Sequence, residues 1–147
     1  MPALIEDYAL LGNCHTAALV DRHGSLDWLC FPRFDSPACF AALLGDSDNG
    51  HWRIAPRGDD FTTSRQYRDG TLILETTFLT PTGSAVLIDC MPLRAHGSVV
   101  RTVVGLSGTV DFTMELVMRF DYGSSVPWVE KRDPLTLTAV AGPQMLV

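Results

Sequence analysis

A short loop carries the side chains best suited to recognising a polar ligand. Arg33, Phe34 and Asp35 lie between an apolar run that ends at Pro32 and a second apolar run that follows Ser36. An arginine and an aspartate can hydrogen-bond hydroxyl groups, and an aromatic face can stack on a sugar ring. Because binding residues are often on loops held by rigid elements, this loop is the first candidate site.

Each candidate in this region also has a purely structural interpretation. Arg33 and Asp35 can form a local salt bridge or cap a helix. Trp28 lies in the apolar run 26–31, where an aromatic side chain is typical of core packing, although it could also line a sugar pocket. Trp128 follows Pro127 and can serve as an interdomain contact or as an exposed sugar platform. The sequence leaves these alternatives open.

The acidic residues do not form a recognisable catalytic pair. Hydrolysis by acid–base chemistry on carboxyl groups needs two of them on either side of the bond that is cleaved. The doublets Glu6-Asp7 and Asp59-Asp60 lie in polar loops, without the apolar neighbours that would raise a carboxyl pKa. We therefore expect solvated charges and no catalytic residue in this chain.

Metal, cofactor and nucleophile motifs are equally absent from the sequence. It contains no Gly-x-Ser-x-Gly motif, no P-loop and no dinucleotide fingerprint. The histidines and cysteines show no metal-ligand spacing, so we expect neither a metal nor a cofactor. The residues concerned are His15, His23, His51, His96, Cys14, Cys30, Cys39 and Cys90.

Composition narrows the possible partners and the location. With 147 residues and a net charge of −6, the chain is long enough for one domain, and its charge disfavours nucleic acid or an anionic membrane as a partner. No signal peptide is visible, and no apolar run is long enough to span a bilayer. We expect free thiols and a cytoplasmic location.

The elements that position the loop are mostly strands. Ser36 as N-cap, Pro37 at the first helical position and Gly45 at the end predict one short helix after the loop. Alternating and apolar runs predict strands over the following ranges: 8–11, 16–20, 26–31, 51–55, 63–67, 71–79, 84–91, 99–106, 110–120, 126–130 and 135–140.

Turn residues suggest how these strands pair. Asp21 to Gly24 and Pro81 to Gly83 predict hairpins, and Ser107 to Thr109 predicts a third between strands 99–106 and 110–120. In strand 110–120, the face that includes Phe112, Met114 and Leu116 is predicted to be core. Many short strands with frequent turns indicate an antiparallel β-sandwich. Residues 135–147 resemble an incomplete hairpin, which predicts an open edge and a possible homodimer.

The sequence resembles a known family across nearly its whole length. The residues that carry the resemblance are 5–8 (Ile-Glu-Asp-Tyr), 12–14 (Gly-Asn-Cys), 16–20 (Thr-Ala-Ala-Leu-Val), 24–44, 101–108, 119–123 and 127–129. They are similar to the N-terminal domain of bacterial and archaeal glycoside hydrolases of family 15, which include glucoamylase-like and trehalase-like enzymes. In that family a supersandwich-like β-sandwich precedes an (α/α)6 barrel that holds the catalytic carboxylates.

The resemblance implies a supporting role. Residues 1–147 would form an incomplete, inactive N-terminal domain, and the barrel absent from this chain would be its partner. The parent enzyme would hydrolyse α-glucosides such as maltooligosaccharides or trehalose, and the barrel would decide between them. The loop at Arg33, Phe34 and Asp35, together with Trp28 and Trp128, would face the barrel or its pocket. The alternative is an autonomous carbohydrate-binding or oligomerisation module.

Overall fold

The computed structural model describes residues 3–93 and 97–147, so His96 lies outside the described residues. Within these ranges the ordered elements are thirteen β-strands and three short 3-10 turns. The turns are Ile5–Asp7, Ala42–Leu44 and Ser47–Asn49. The strands are β1 (Ala9–Gly12), β2 (Ala17–Val20), β3 (Ser25–Cys30), β4 (Ala38–Phe40), β5 (His51–Pro56), β6 (Thr62–Tyr67), β7 (Leu74–Thr80), β8 (Gly83–Cys90), β9 (Val100–Gly108), β10 (Phe112–Val117), β11 (Trp128–Asp133), β12 (Thr136–Ala141) and β13 (Gln144–Leu146).

All strand pairs are antiparallel, and they form three sheets. The first sheet has the order β1-β2-β3-β5-β10, with β4 also paired to β3, and the second has the order β6-β7-β8-β9. A small third sheet contains β11, β12 and β13. The prediction of a mostly β, antiparallel sandwich is confirmed.

The hairpin of β7 and β8 shows how alternation sets the core. Residues 74, 76 and 78 of β7 are buried, and so are residues 85, 87 and 89 of β8, while their neighbours are more exposed. Side chains alternate between the two faces of a strand, so one face of this hairpin turns inward. The predicted hairpin at Pro81 is confirmed by the one-to-one register of the two strands.

The core lies between the two larger sheets. One cluster joins side chains of β1 to β4 to Leu74 of β7, and it also takes in Ala139 of β12. A second cluster joins β5 to β7 and β8, and there Phe78 meets Phe61 and Phe112 edge-on, with centroids 5.5 and 5.7 Å apart. Trp52 of β5 packs against both clusters. The sheets are therefore held by one nearly continuous apolar layer.

The predicted helix after the loop is wrong. Residues 38–40 form β4, which pairs with β3, and only a single 3-10 turn follows before Gly45. All three residues of β4 are buried, so this segment must lie flat in the sheet and cannot show a polar face to solvent. Burial on both faces overrides the helix-start signal of Ser36 and Pro37.

The predicted hairpin between strands 99–106 and 110–120 is also wrong. β9 pairs with β8 in the second sheet, whereas β10 pairs with β5 in the first, so the chain crosses between layers at 109–111. As an edge strand, β10 is covered at its start, where Phe112 meets Phe78, but Met114 is 67% and Leu116 38% exposed. The middle of the predicted core face is therefore surface.

One buried ion pair ties the two large sheets together. Arg101 of β9 lies opposite Asp89 of β8, and both side chains are fully buried. The guanidinium donates to the Asp89 carboxylate at 2.8 and 3.1 Å, and to the carbonyls of Gly24 and Trp52 in the first sheet. It also lies 5.2 Å from the centroid of the Trp52 ring. One side chain thus links three strands and the turn before β3.

Replacing Arg101 should be severely destabilising. The Arg101→Ala variant leaves the Asp89 charge buried without a partner, so we expect the free energy of unfolding to fall by about 3–5 kcal/mol in urea denaturation. Arg68→Ala removes an ion pair to Glu75 at the surface of the same sheet and should shift the urea midpoint little. Equal midpoint shifts for the two variants would show that the buried pair has no special weight.

Candidate functional site

Backbone hydrogen bonds hold the loop that joins β3 to β4 at residues 33, 34 and 36. The backbone N–H of Phe34 donates to the carbonyl of His15 at 2.9 Å, which fixes the loop against the turn before β2. The N–H of Arg33 donates to the Ser36 hydroxyl, and the N–H of Ser36 donates back to the Arg33 carbonyl. The hydroxyl predicted to cap a helix therefore closes the loop.

Arg33 and Asp35 form a two-pronged salt bridge at the surface. The Nε and Nη2 atoms of Arg33 donate to the two carboxylate oxygens of Asp35 at 2.9 and 3.3 Å. This hydrogen bonding lowers the pKa of Asp35 and raises the pKa of Arg33. Both side chains remain about seven-tenths exposed, and Phe34 between them is 63% exposed. The loop presents an apolar ring beside a paired charge.

The two tryptophans lie in different environments. Trp28 of β3 is half-buried, packs against residues 30, 38 and 41, and meets Tyr122 with ring centroids 6.1 Å apart. Trp128 of β11 is 79% exposed, and its backbone lies opposite Val140 of β12. Trp28 is therefore mainly a packing residue, whereas most of the Trp128 side chain is available at the surface.

A cleft of about 580 Å³ joins the loop to the third sheet. Its walls come from the loop, from Phe120 and from β13, so it brings together segments more than a hundred residues apart in the chain. The alternation of strand 110–120 placed Phe120 on an apolar face, but no sequence signal placed β13 beside the loop. The lining residues are Phe31, Pro32, Ser36, Pro37, Gly97, Phe120, Pro143, Gln144, Met145 and Leu146.

Asn13 lies behind this cleft, in the turn before β2. Its role is not a left-handed backbone, because the residue with positive φ in this turn is Cys14, at 68°. The Oδ1 atom of Asn13 instead accepts the N–H groups of His15 and Thr16 at 3.0 and 2.9 Å. The side chain thus holds the turn to which Phe34 is bonded.

The side-chain Nδ2 atom of Asn13 is buried and has no hydrogen-bond partner among the described residues. A Cβ atom built on Gly97 would lie 3.8 Å from this nitrogen and 2.9 Å from the Phe31 ring. Glycine at 97 therefore allows the backbone to approach the cleft wall closely, and a larger residue would displace Phe31.

A second polar cluster, also missed in the sequence, lies inside the first sheet. Asp21 and Asp27 are both nearly fully buried on either side of Ser25. Asp27 accepts from the Tyr8 hydroxyl at 2.8 Å and from the Ser25 hydroxyl, and Asp21 accepts the N–H groups of His23 and Ser25 at 2.8 and 2.7 Å. The sequence signal that could have indicated this cluster is a pair of acidic residues on either side of Gly24-Ser25, next to apolar strands.

This carboxylate pair is occupied by structural bonds. Burial raises the pKa of Asp21, and the nearby Asp27 charge adds to the effect. Burial and the bond to Asp27 also raise the pKa of Tyr8. Neither Asp21 nor Asp27 lines the cleft, so the pair is not placed to act on a bound sugar.

Other chemistry has little support within residues 3–93 and 97–147. No group of three His, Cys, Asp or Glu side chains there could hold a metal ion, and no helix there is long and apolar enough to cross a membrane. The four cysteines are free thiols, and burial raises the pKa of Cys39 to about 12. A thiol held in its neutral form is a poor nucleophile.

Asp21 should make the domain less stable at neutral pH than at mildly acidic pH. A buried carboxyl with a raised pKa binds its proton more tightly in the folded state, so it destabilises the fold as the pH rises through that pKa. Asp21→Asn keeps the acceptor for His23 and Ser25 but removes the charge. Melting temperatures should rise in the variant at pH 7, and the gap should close near pH 4.

The exposed carboxylate of Asp35 provides the matched control for this pH series. The pKa of Asp35 is lowered by its hydrogen bond to Arg33, so its charge stabilises the fold at pH 7 and loses that effect as the pH falls through the lowered pKa. Asp35→Asn should therefore be slightly destabilising at pH 7, and the difference should shrink at low pH. A gap for Asp21→Asn that widens toward low pH would contradict the assignment of its raised pKa.

Comparison with known proteins identifies the family. The model of the trehalase-like N-terminal domain matches residues 1–147. A trehalase of Mycolicibacterium smegmatis is 38% identical over 80% of this chain and 20% of its own length. Trehalase 1 of Sulfolobus acidocaldarius is 38% identical over 88% of this chain and 22% of its own length.

A more distant archaeal relative shows the same proportions. A trehalase of Thermoplasma volcanium is 32% identical over 86% of this chain and 22% of its own length. The chain thus spans about a fifth of the length of the curated relatives that it matches. No solved structure gives a significant match. By its sequence and its β-rich fold, the chain belongs to the trehalase-like N-terminal domain family.

Proposed function

We propose that this chain is the supporting, non-catalytic N-terminal domain of a family 15 glycoside hydrolase that acts on trehalose. The observation that carries the proposal is the family match over residues 1–147, together with relatives that are trehalases about five times as long as this chain. The catalytic carboxylates would lie in an (α/α)6 barrel that follows the domain, and the barrel would be its main partner. The relatives favour trehalose over maltooligosaccharides as the substrate of that enzyme.

The loop of residues 31–37 is the proposed contact with the barrel. Its backbone is fixed by bonds to the His15 carbonyl and within the loop, so it offers a rigid surface. Phe34 exposes most of its ring, and Arg33 and Asp35 satisfy each other while remaining exposed. An exposed aromatic residue beside satisfied charges suits an interface that is apolar at its centre and polar at its rim.

The proposed location is the cytoplasm. The four cysteines are free thiols, including Cys14, which is exposed. Reduced thiols are typical of proteins that work in a reducing compartment.

The isolated chain should release no glucose from trehalose or maltose. Within the described residues, the three buried carboxylates, Asp21, Asp27 and Asp89, are bound by internal hydrogen bonds, and none of them lines the cleft as a general acid or nucleophile would. Glucose release above a buffer control by the purified chain would contradict the proposal.

A chimaera tests the role of the loop. In this chimaera, residues 1–147 replace the matching N-terminal region of the M. smegmatis trehalase, and the rate of trehalose hydrolysis is measured. Phe34→Ala with Asp35→Ala should lower turnover severalfold, because misplaced supporting groups disturb catalytic geometry. It should change the melting temperature of the chain alone only slightly, because an exposed ion pair stabilises weakly. Asp59→Ala, an exposed acidic residue in another loop, serves as the matched control.

Two outcomes would contradict the loop assignment. The substituted chimaera could keep the turnover of the unsubstituted chimaera, which would mean that the loop contacts nothing of catalytic importance. Alternatively, the double variant could unfold the isolated chain, which would make the loop part of the scaffold.

Carbohydrate binding by the domain itself is the second candidate. The exposed ring of Trp128 favours it, because an exposed indole face can stack on a sugar. Titration of the chain with trehalose and maltooligosaccharides, followed by tryptophan fluorescence, should then show saturable binding that Trp128→Ala abolishes. An unchanged signal would remove this candidate.

We also propose that the chain self-associates through an open sheet edge. The support is a group of exposed apolar side chains on β9 and β10, which follow each other along one side of the sandwich. Contiguous exposed apolar surface commonly marks an interaction site.

A further inference from the structure

One side of the sandwich is closed and the other is open. On the closed side, the Tyr67 hydroxyl of β6 accepts from the N–H of Leu10 and donates to the carbonyl of Leu10 in β1, at 2.8 and 2.9 Å. Arg65 of β6 turns inward and donates to the carbonyl of Val20. On the open side lie β9 and β10, the last strands of the two large sheets.

β9 is an unprotected edge. It is nine residues long, and every residue except Arg101 is exposed. Its exposed side chains are uncharged and include Val103, Val104 and Leu106, and it contains no proline. Natural edge strands are usually short or carry charges or proline, because an open row of N–H and C=O groups pairs readily with another strand.

The other sheet ends in the described part of the chain carry such protection. Residues 119 and 122 donate N–H groups to the carbonyls of β4, β11 exposes the charged run 130–133, and β13 has only three residues. β10 carries Glu115 in its middle, and a second copy of this strand would bring two like charges together. By this comparison β9 is the strand best suited to pairing.

Charge favours a second copy of this chain at β9. The molecule has a net charge of −6, so two copies repel each other at most approaches. The only charged residue of β9 is Arg101, and its guanidinium is buried and neutralised by Asp89. An edge without exposed charge therefore lets two copies approach without like-charge repulsion.

We propose that β9 of one copy pairs antiparallel with β9 of a second copy. The pairing is isologous, so the two four-stranded sheets become one eight-stranded sheet about a two-fold axis. Residues 100–105 pair one-to-one with β8, and a bulge follows at Leu106, so the straight segment available for pairing is 100–105. With the axis at Val103, only Val103 lies opposite its own copy, and Thr102 of each copy lies opposite Val104 of the other. This inference rests on the self-association proposed above and identifies β9 as the strand that forms the interface.

Sedimentation velocity over a wide range of protein concentration tests the pairing. The wild-type chain should form a dimer that dissociates on dilution. Val104→Lys places two ammonium groups near the axis and should weaken the dimer at least tenfold. Val129→Lys on the charged edge β11, at a comparably exposed valine, is the matched control and should leave the dimer unchanged.

Hydrogen–deuterium exchange of the wild-type chain adds a readout that needs no variant. Amides of residues 100–105 should become more protected as concentration rises, whereas those of β6 and β10 should not. A monomer at every concentration would overturn both this inference and the proposed self-association. A dimer that resists Val104→Lys, or whose protection falls on another strand, would overturn only the assignment to β9.

Discussion

The Arg101–Asp89 ion pair is the constraint on which the rest of the fold depends. A buried guanidinium needs partners for its charge and its N–H groups, and here four hydrogen bonds to Asp89, Gly24 and Trp52 link both large sheets. Gly24 must keep its carbonyl pointed at Arg101, and its φ of 81° is one that side chains rarely adopt. A Cβ at this position would also collide with the Ile54 carbonyl. The turn before β3, the position of β5 and the register of β8 on β9 are therefore fixed together.

This constraint also positions the candidate site. β3 begins at the turn bonded to Arg101 and ends at the loop of residues 31–37, so an element anchored at the sheet interface carries the loop. At its far end the loop is bonded to the turn that Asn13 organises. The exposed groups of Arg33, Phe34 and Asp35 are thus presented by buried polar bonds on both sides. A surface that is fixed in this way can make a specific contact at little cost in conformational entropy.

The sequence predicted what depends on local alternation and missed what depends on distant contacts. The β7–β8 hairpin followed from period-two burial around a strong turn at Pro81, and the antiparallel sandwich followed from the number of such strands. The predicted helix at residues 38–40 was wrong because a helix-start signal is local, whereas the pairing of these residues with β3 depends on a distant segment. The predicted hairpin of β9 and β10 was wrong because two strands that are adjacent in the chain need not pair, and here the connection between them leads into the other sheet. The sequence did not predict the Asp89–Arg101 pair, since local alternation does not show the register between β8 and β9.

The Tyr67 hydroxyl has a consequence for how the domain tolerates sequence change. A single oxygen atom replaces a whole neighbouring strand for Leu10, because it satisfies both the donor and the acceptor of that residue. Loss of this atom, as in a tyrosine-to-phenylalanine drift, would keep almost all the packing of the ring but reopen a second edge on the opposite side of the sandwich. A chain with two open edges can add copies at both ends, and its assembly then grows without limit. In the dimer proposed above, one phenolic oxygen on each copy would therefore decide between a closed pair and an endless ribbon.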